Sequence, residues 1–123
     1  MRISIAPDAR LSKNGLARAN WRTTRRLVKE AREVAYYLAI EQADGRWTMP
    51  DQVEISIVSY YARRPMDFDG LACVCGPSID GMVDAGIMRD DSPDVVAAYT
   101  MRHQKVDTVD EVRVEIGVEP VSK

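Results

Sequence analysis

Residues 53–92 read VEISIVSYYARRPMDFDGLACVCGPSIDGMVDAGIMRDDS, and the order of patterns in this stretch decides the fold. Val53, Ile55 and Ile57 alternate with Glu54 and Ser56, the period of a strand with one buried face, so a strand is predicted over Val53 to Tyr61. Arg63-Arg64-Pro65 carries the chain off its end. From Asp69 to Ala85 the apolar residues Leu71, Val74, Ile79, Met82 and Val83 fall at helical spacing. Gly76-Pro77 interrupts that pattern. Proline is comfortable in a helix's first turn, which predicts a well-formed helix beginning near Pro77, a kinked turn before it and a stop at Gly86.

On the N-terminal side, residues 2–6 alternate as a short strand ended by Pro7, and Asp8 to Asn20 reads as a loop. Thr23 or Thr24 can cap a helix running to about Gln42, with Leu27, Val28, Ala31, Val34, Ala35, Leu38 and Ala39 as its apolar stripe. Ala43-Asp44-Gly45 stops it. On the C-terminal side, Val95 to Met101 reads as a third strand, and Val112, Val114, Ile116 and Val118 mark a fourth. The order is β-α-β-α-β-β. The predicted class is α+β, a small mixed sheet of about four strands with two helices packed on it, because each amphipathic helix needs an apolar surface to cover.

The 123 residues suit one domain with its own core, spanning residues 1–123. With 46% hydrophobic and 29% charged residues, the chain falls among soluble globular proteins. No apolar run approaches the roughly 20 residues of a membrane span, and MRISIAPDAR lacks the features of a secretory signal, so a cytoplasmic location is expected. Cys73 and Cys75, two residues apart with His103 the only histidine, are too few for a disulfide framework or a zinc site and read as core or near-core residues.

Charge is unevenly distributed. Arg10, Lys13, Arg18, Arg22, Arg25, Arg26, Lys29 and Arg32 face one acid, Glu30, over residues 10–32, although the net charge is −2. Residues 66–92 invert this, with Asp67, Asp69, Asp80, Asp84, Asp90 and Asp91 against Arg89 alone. Carboxylates gathered in one place resist ionising together unless a cation compensates them. Asp67 and Asp69 project to the same side of an extended segment, and the turn at Asp90-Asp91 is expected to return to that end of the sheet. Three carboxylates then make an open oxygen site suited to Mg²⁺ or Mn²⁺. The competing reading is a solvated acidic turn in an unrelated α+β protein.

The ordered set Asp67-x-Asp69, Ile79-Asp80-Gly81-Met82, Ala85-Gly86 and Asp90-Asp91-Ser92 resembles the signature of RusA-type Holliday junction resolvases of bacteria, phages and prophages. The likeness is strongest over residues 64–94. It implies a metal-dependent endonuclease of DNA recombination and repair, a homodimer that binds branched DNA, the four-way junction, and makes paired nicks in the cytoplasm of a bacterial or phage-infected cell. No membrane and no small-molecule cofactor are implied. The family's essential acids fall on Asp67, Asp69 and Asp91, which would hold one or two Mg²⁺ (or Mn²⁺) ions for phosphodiester hydrolysis, with Asp80 and Asp90 in a second rank. The chain departs from the pattern at two points. Gly70 stands where the family has Asn, and the family's catalytic lysine falls on Cys73, or on Gly76 in a phage-type version. The alternative implied is a RusA-like protein that binds branched DNA without cleaving it.

Arg18, Arg22, Arg25, Lys29 and Arg32 recur at separations of three or four and would line one edge of the first helix as a phosphate-binding stripe, or else form an ordinary solvated face. Trp21 reads either as a stacking partner for a base at an opened junction or as a hydrophobic staple onto that helix. His103 is expected at the surface or a strand end.

Overall fold

A computed structural model describes residues 1–12, 15 and 20–121; Arg18 and Lys13 of the basic set lie outside the described residues. The elements are β1 (Arg2–Ile5), a 3-10 turn (Ala9–Leu11), α1 (Trp21–Ala43), β2 (Val53–Tyr61), α2 (Phe68–Asp84), β3 (Val96–Lys105), a second 3-10 turn (Val109–Glu111) and β4 (Arg113–Pro120). The four strands form one sheet in the order β1-β4-β2-β3. β4 runs antiparallel to both β1 and β2, while β2 and β3 are parallel. This is the α+β arrangement expected from the sequence, a mixed four-stranded sheet carrying two helices. Among the described residues no helix is long and apolar enough to cross a membrane.

Strand alternation builds the core. Val53, Ile55 and Ile57 of β2 stand beside Val114, Ile116 and Val118 of β4, all 1% exposed or less. Leu71, Cys75, Ile79 and Met82 of α2, with Ala35 and Ala39 of α1, close over them in the same cluster. Cys75 is fully buried, and burial pushes its thiol pKa up to about 12, so it is a small apolar residue at neutral pH.

Three boundaries differ from the sequence reading. α1 begins at Trp21, because Asn20 rather than Thr23 or Thr24 is the cap, its Oδ1 accepting from Thr23 N at 2.9 Å. Within α1, Val34 leaves the apolar stripe and is 53% exposed. α2 runs unbroken through Pro77. An interior proline gives up one backbone bond and crowds the preceding turn, and its ring also clashes with the Cβ of the residue before it; the predecessor here is Gly76, which has none, so that last conflict is absent. β3 continues to Lys105 instead of ending near Met101, since pairing with β2 runs on through Val58↔Arg102, Ser59↔His103, Tyr60↔Gln104 and Tyr61↔Lys105. Cross-strand pairing overrides the polar composition there.

α1 and α2 run parallel. Leu27 shares a buried cluster with Val74, and five residues further along α1 the Arg32 carbonyl meets Gly81, seven residues further along α2. A Cβ built on Gly81 collides with the Arg32 carbonyl oxygen and stands 3.0 Å from the Ala35 Cβ, so this glycine sets how closely the helices approach. Arg32 then clamps the same level, its Nε and Nη2 donating to the Asp84 carboxylate at 2.5 and 2.8 Å.

Gly81→Ala is expected to lower stability by about 1–3 kcal/mol through forced separation of the helices. Gly76→Ala, whose Cβ meets nothing within 4 Å apart from its chain neighbours but would crowd the Pro77 ring, should cost stability that Pro77→Ala restores, whereas the loss in Gly81→Ala should persist in a Pro77→Ala background. Urea unfolding of the variants with and without Pro77→Ala checks this, and rescue of Gly81→Ala as well would contradict its close-approach role.

Candidate metal and nucleic-acid site

Asp67 and Asp69 sit at the start of α2, directly beyond the C-terminal end of β2. Asp67 is the helix cap, its Oδ1 accepting from Gly70 N at 2.6 Å. That bond leaves the other carboxylate oxygen available, while Asp69 stands exposed in the first turn. Gly70 keeps this corner tight. A Cβ there would lie 2.8 Å from Asp67 Oδ1 and 2.9 Å from Met66 Cγ, so a side chain at this position and the present Asp67 rotamer exclude each other.

The Asp90-Asp91 turn does not return to that end of the sheet. Because β3 is parallel to β2 and starts at Val96 opposite Val53, the chain reaches Asp90 and Asp91 at the far end. Asp90 folds back on itself, its Oδ1 accepting from Ser92 N at 2.8 Å, and this contact with Ser92 holds its carboxyl below the usual range. Its role is to shape the turn. Asp91 instead lines a groove of about 290 Å³ between α2 and β3, with Ala72, Cys75, Gly76, Ile79, Tyr99 and Met101 among its other walls. That stretch of α2 begins one turn after Asp69 and ends just before Asp80.

Asp69 and Asp80, eleven residues apart, share one face of α2 at a separation of about 16 Å along the axis. Asp80 is half-buried, and its pKa is raised, first by burial and then by the charges of Asp91 and Asp84, against the opposing pull of Arg32. Burial also raises the Tyr99 phenol, with Asp91 and Asp80 adding to the effect. The acids therefore divide into Asp67 with Asp69 at one end of the groove and Asp91 with Asp80 towards the other. Among the described residues no group of three or more His, Cys, Asp or Glu side chains converges tightly enough to enclose a metal ion by itself. The donors are nonetheless hard oxygens suited to Mg²⁺, which usually takes one or two carboxylates and fills its remaining positions with water and phosphate oxygens.

The parallel helices bring the basic start of α1 to the same end of the molecule as Asp67 and Asp69. Arg22, Arg25 and Lys29 are exposed along α1. Trp21 is 63% exposed and so does not staple the helix; the guanidinium carbons of Arg22 and Arg25 stand 5.3 and 5.8 Å from its ring centre. Arg32 of the same stripe is committed to Asp84. Asp84 is thus a partner of α1.

His103 lies close to the acidic pair. Its ring stacks on Phe68 at 4.7 Å and meets Tyr61 edge-on at 6.1 Å, and its Nδ1 is buried with no hydrogen-bond partner among the described residues. Phe68 stands between Asp67 and Asp69 in the chain, so His103 and Tyr61 brace the corner that carries both acids. The sequence signal for this was the length of β3, which the polar run after Met101 concealed. No protein-family model matches the chain, and no curated protein matches it.

The two ends of the salt bridge and groove respond to pH with opposite sign. Arg32 holds the Asp84 carboxyl below its ordinary value of 3.8, so the pair contributes stability above that pH and loses it as pH falls through the lowered folded-state value. Asp80, raised above 3.8, costs stability once ionised at neutral pH. Asp84→Asn should lower the melting temperature at neutral pH and Asp80→Asn should raise it, with both differences vanishing in acid. Melting curves across pH check this, and shifts of the same sign would contradict the assignment.

Proposed function

We propose that this chain is a metal-dependent endonuclease of the RusA type that nicks four-way DNA junctions as a homodimer. The observation that carries the reading is the exposed Asp67-x-Asp69 pair at the start of α2, at the same end of the parallel helix pair as the exposed Arg22 and Arg25 of α1, with Lys29 further along. An acidic pair alone would be a solvated helix start. Beside a basic face, it has a partner chemistry in common with that face, the phosphodiester backbone.

Asp67, through the oxygen not bonded to Gly70, and Asp69 would hold Mg²⁺ or Mn²⁺, while Asp91 lies with Asp80 towards the other end of the groove. When bound, the ion supplies Lewis-acid polarisation of the scissile phosphate and activation of water. The chain's own work is positioning. The Gly70 N–H fixes the Asp67 carboxylate, and the stack of Phe68 on His103 fixes the backbone between the two acids. Arg22, Arg25 and Lys29 hold phosphates by charge, which gives salt-dependent binding with little sequence preference. Resolution by paired nicks suits a homodimer, because a four-way junction presents related strands in symmetric pairs.

A second reading, junction binding without turnover, is favoured by one feature. α2 carries no basic side chain, so no lysine at Cys73 or Gly76 is available to steady the charge of the transition state. Losing such a stabiliser typically costs on the order of 10²-fold in rate.

Incubating a mobile four-way junction with the protein and Mg²⁺ or Mn²⁺ should give symmetric nicks that Asp67→Asn and Asp69→Asn abolish. Nicking that persists in Asp69→Asn would sink the site assignment. Tight binding without nicking selects the second reading, in which Cys73→Lys, at a partly exposed position one turn after Asp69, should raise cleavage by about 10²-fold.

A further inference from the structure

The protein has two tryptophans, and they are held very differently. The Trp47 indole N–H donates to the Ile87 carbonyl oxygen at 2.9 Å, and the side chain is half-buried. Trp21 has 63% of its surface exposed, an unfavourable state for the largest apolar side chain. Its immediate neighbours are cations, with Arg22 and Arg25 near its ring and no acid in the first turn of α1.

The other cations of the helix are committed to varying degrees. Arg26 approaches Glu30 and Lys29 approaches Glu33, each at 3.9 Å, and Arg32 is bonded to Asp84. Among the described residues, Arg22 and Arg25 have no carboxylate partner. An exposed flat ring flanked by two unpaired guanidinium groups complements a ligand that joins a π-face to negative charge.

We infer that Trp21, Arg22 and Arg25 form a stacking platform for an unpaired nucleobase of a DNA strand, with the two arginines taking the adjoining phosphates. The inference rests on the nucleic-acid reading above and deepens it by naming unpaired nucleotides as the occupant. Duplex DNA satisfies the charge but not the ring, since its bases are already stacked on one another. An unpaired nucleotide satisfies both, and base–aromatic stacking tolerates any sequence because every base has a π-face.

The test uses a labelled oligothymidylate of about eight nucleotides, an abasic strand of the same phosphate count and a blunt duplex, all with EDTA so that cleavage plays no part. The thymidylate should quench tryptophan emission and bind about 10-fold more tightly than the abasic strand. Trp21→Ala should lower thymidylate affinity by about the same factor while leaving duplex affinity unchanged, and Trp21→Phe should restore most of it. Equal affinity for thymidylate and abasic strand, absence of quenching, or an equal loss on duplex overturns the inference. If a four-way junction still binds in that case, only the stacking platform fails; if no DNA of any form binds, the functional reading fails and the platform with it.

Discussion

At Gly81 the backbone of α2 lies against the Arg32 carbonyl of α1 with no side chain between them, and this contact fixes the level of one helix against the other. The Arg32–Asp84 pair locks that level from outside, while Leu27 and Val74 hold it near the helix starts. Because the helices are parallel, their first turns emerge at one end of the sheet. The basic residues at the start of α1 and the acidic pair of α2 are distant in sequence and come to one end of the molecule only through this packing.

A second constraint opposes the first. Parallel pairing of β2 with β3 obliges the chain to cross the full length of the sheet between them, and α2 makes that crossing. Acids at the two ends of the crossing, Asp67 and Asp69 at its start and Asp90 and Asp91 at its finish, are therefore separated by the length of the helix. Asp91 recovers part of that distance by lying along the groove between α2 and β3. Its neighbour Asp80 registers the result, as burial and the nearby Asp91 charge both oppose its ionisation.

Much of the fold was legible in the sequence because period and punctuation agreed. The β2 alternation from Val53 to Ile57 and the glycine stop after α1 needed no tertiary information. The misreadings came where a long-range contact outweighed a local rule. Pro77 read as a helix start because its conflict with the preceding residue depends on a Cβ that Gly76 lacks. Arg102, His103, Gln104 and Lys105 read as the end of a strand because only their pairing with β2 keeps them extended. The site was legible as a set of residues but not as an arrangement. The extended segment expected across Asp67 and Asp69 is a helix start, with Asp67 as the cap through Gly70 and Asp69 in the first turn, and the expected return of Asp90 and Asp91 to the same end depended on strand direction, which spacing does not encode.

The central proposal is that Asp67 and Asp69 together bind one divalent metal at the start of α2. It is tested most directly by adding sub-stoichiometric Mn²⁺ to the labelled protein and following the paramagnetic broadening of its amide signals. The account predicts that residues 67–70 broaden first, ahead of residues 80–84 and 90–92, and that Asp69→Asn abolishes the effect there. Broadening centred on Asp80 and Asp84, or spread evenly over every exposed acid, would contradict it.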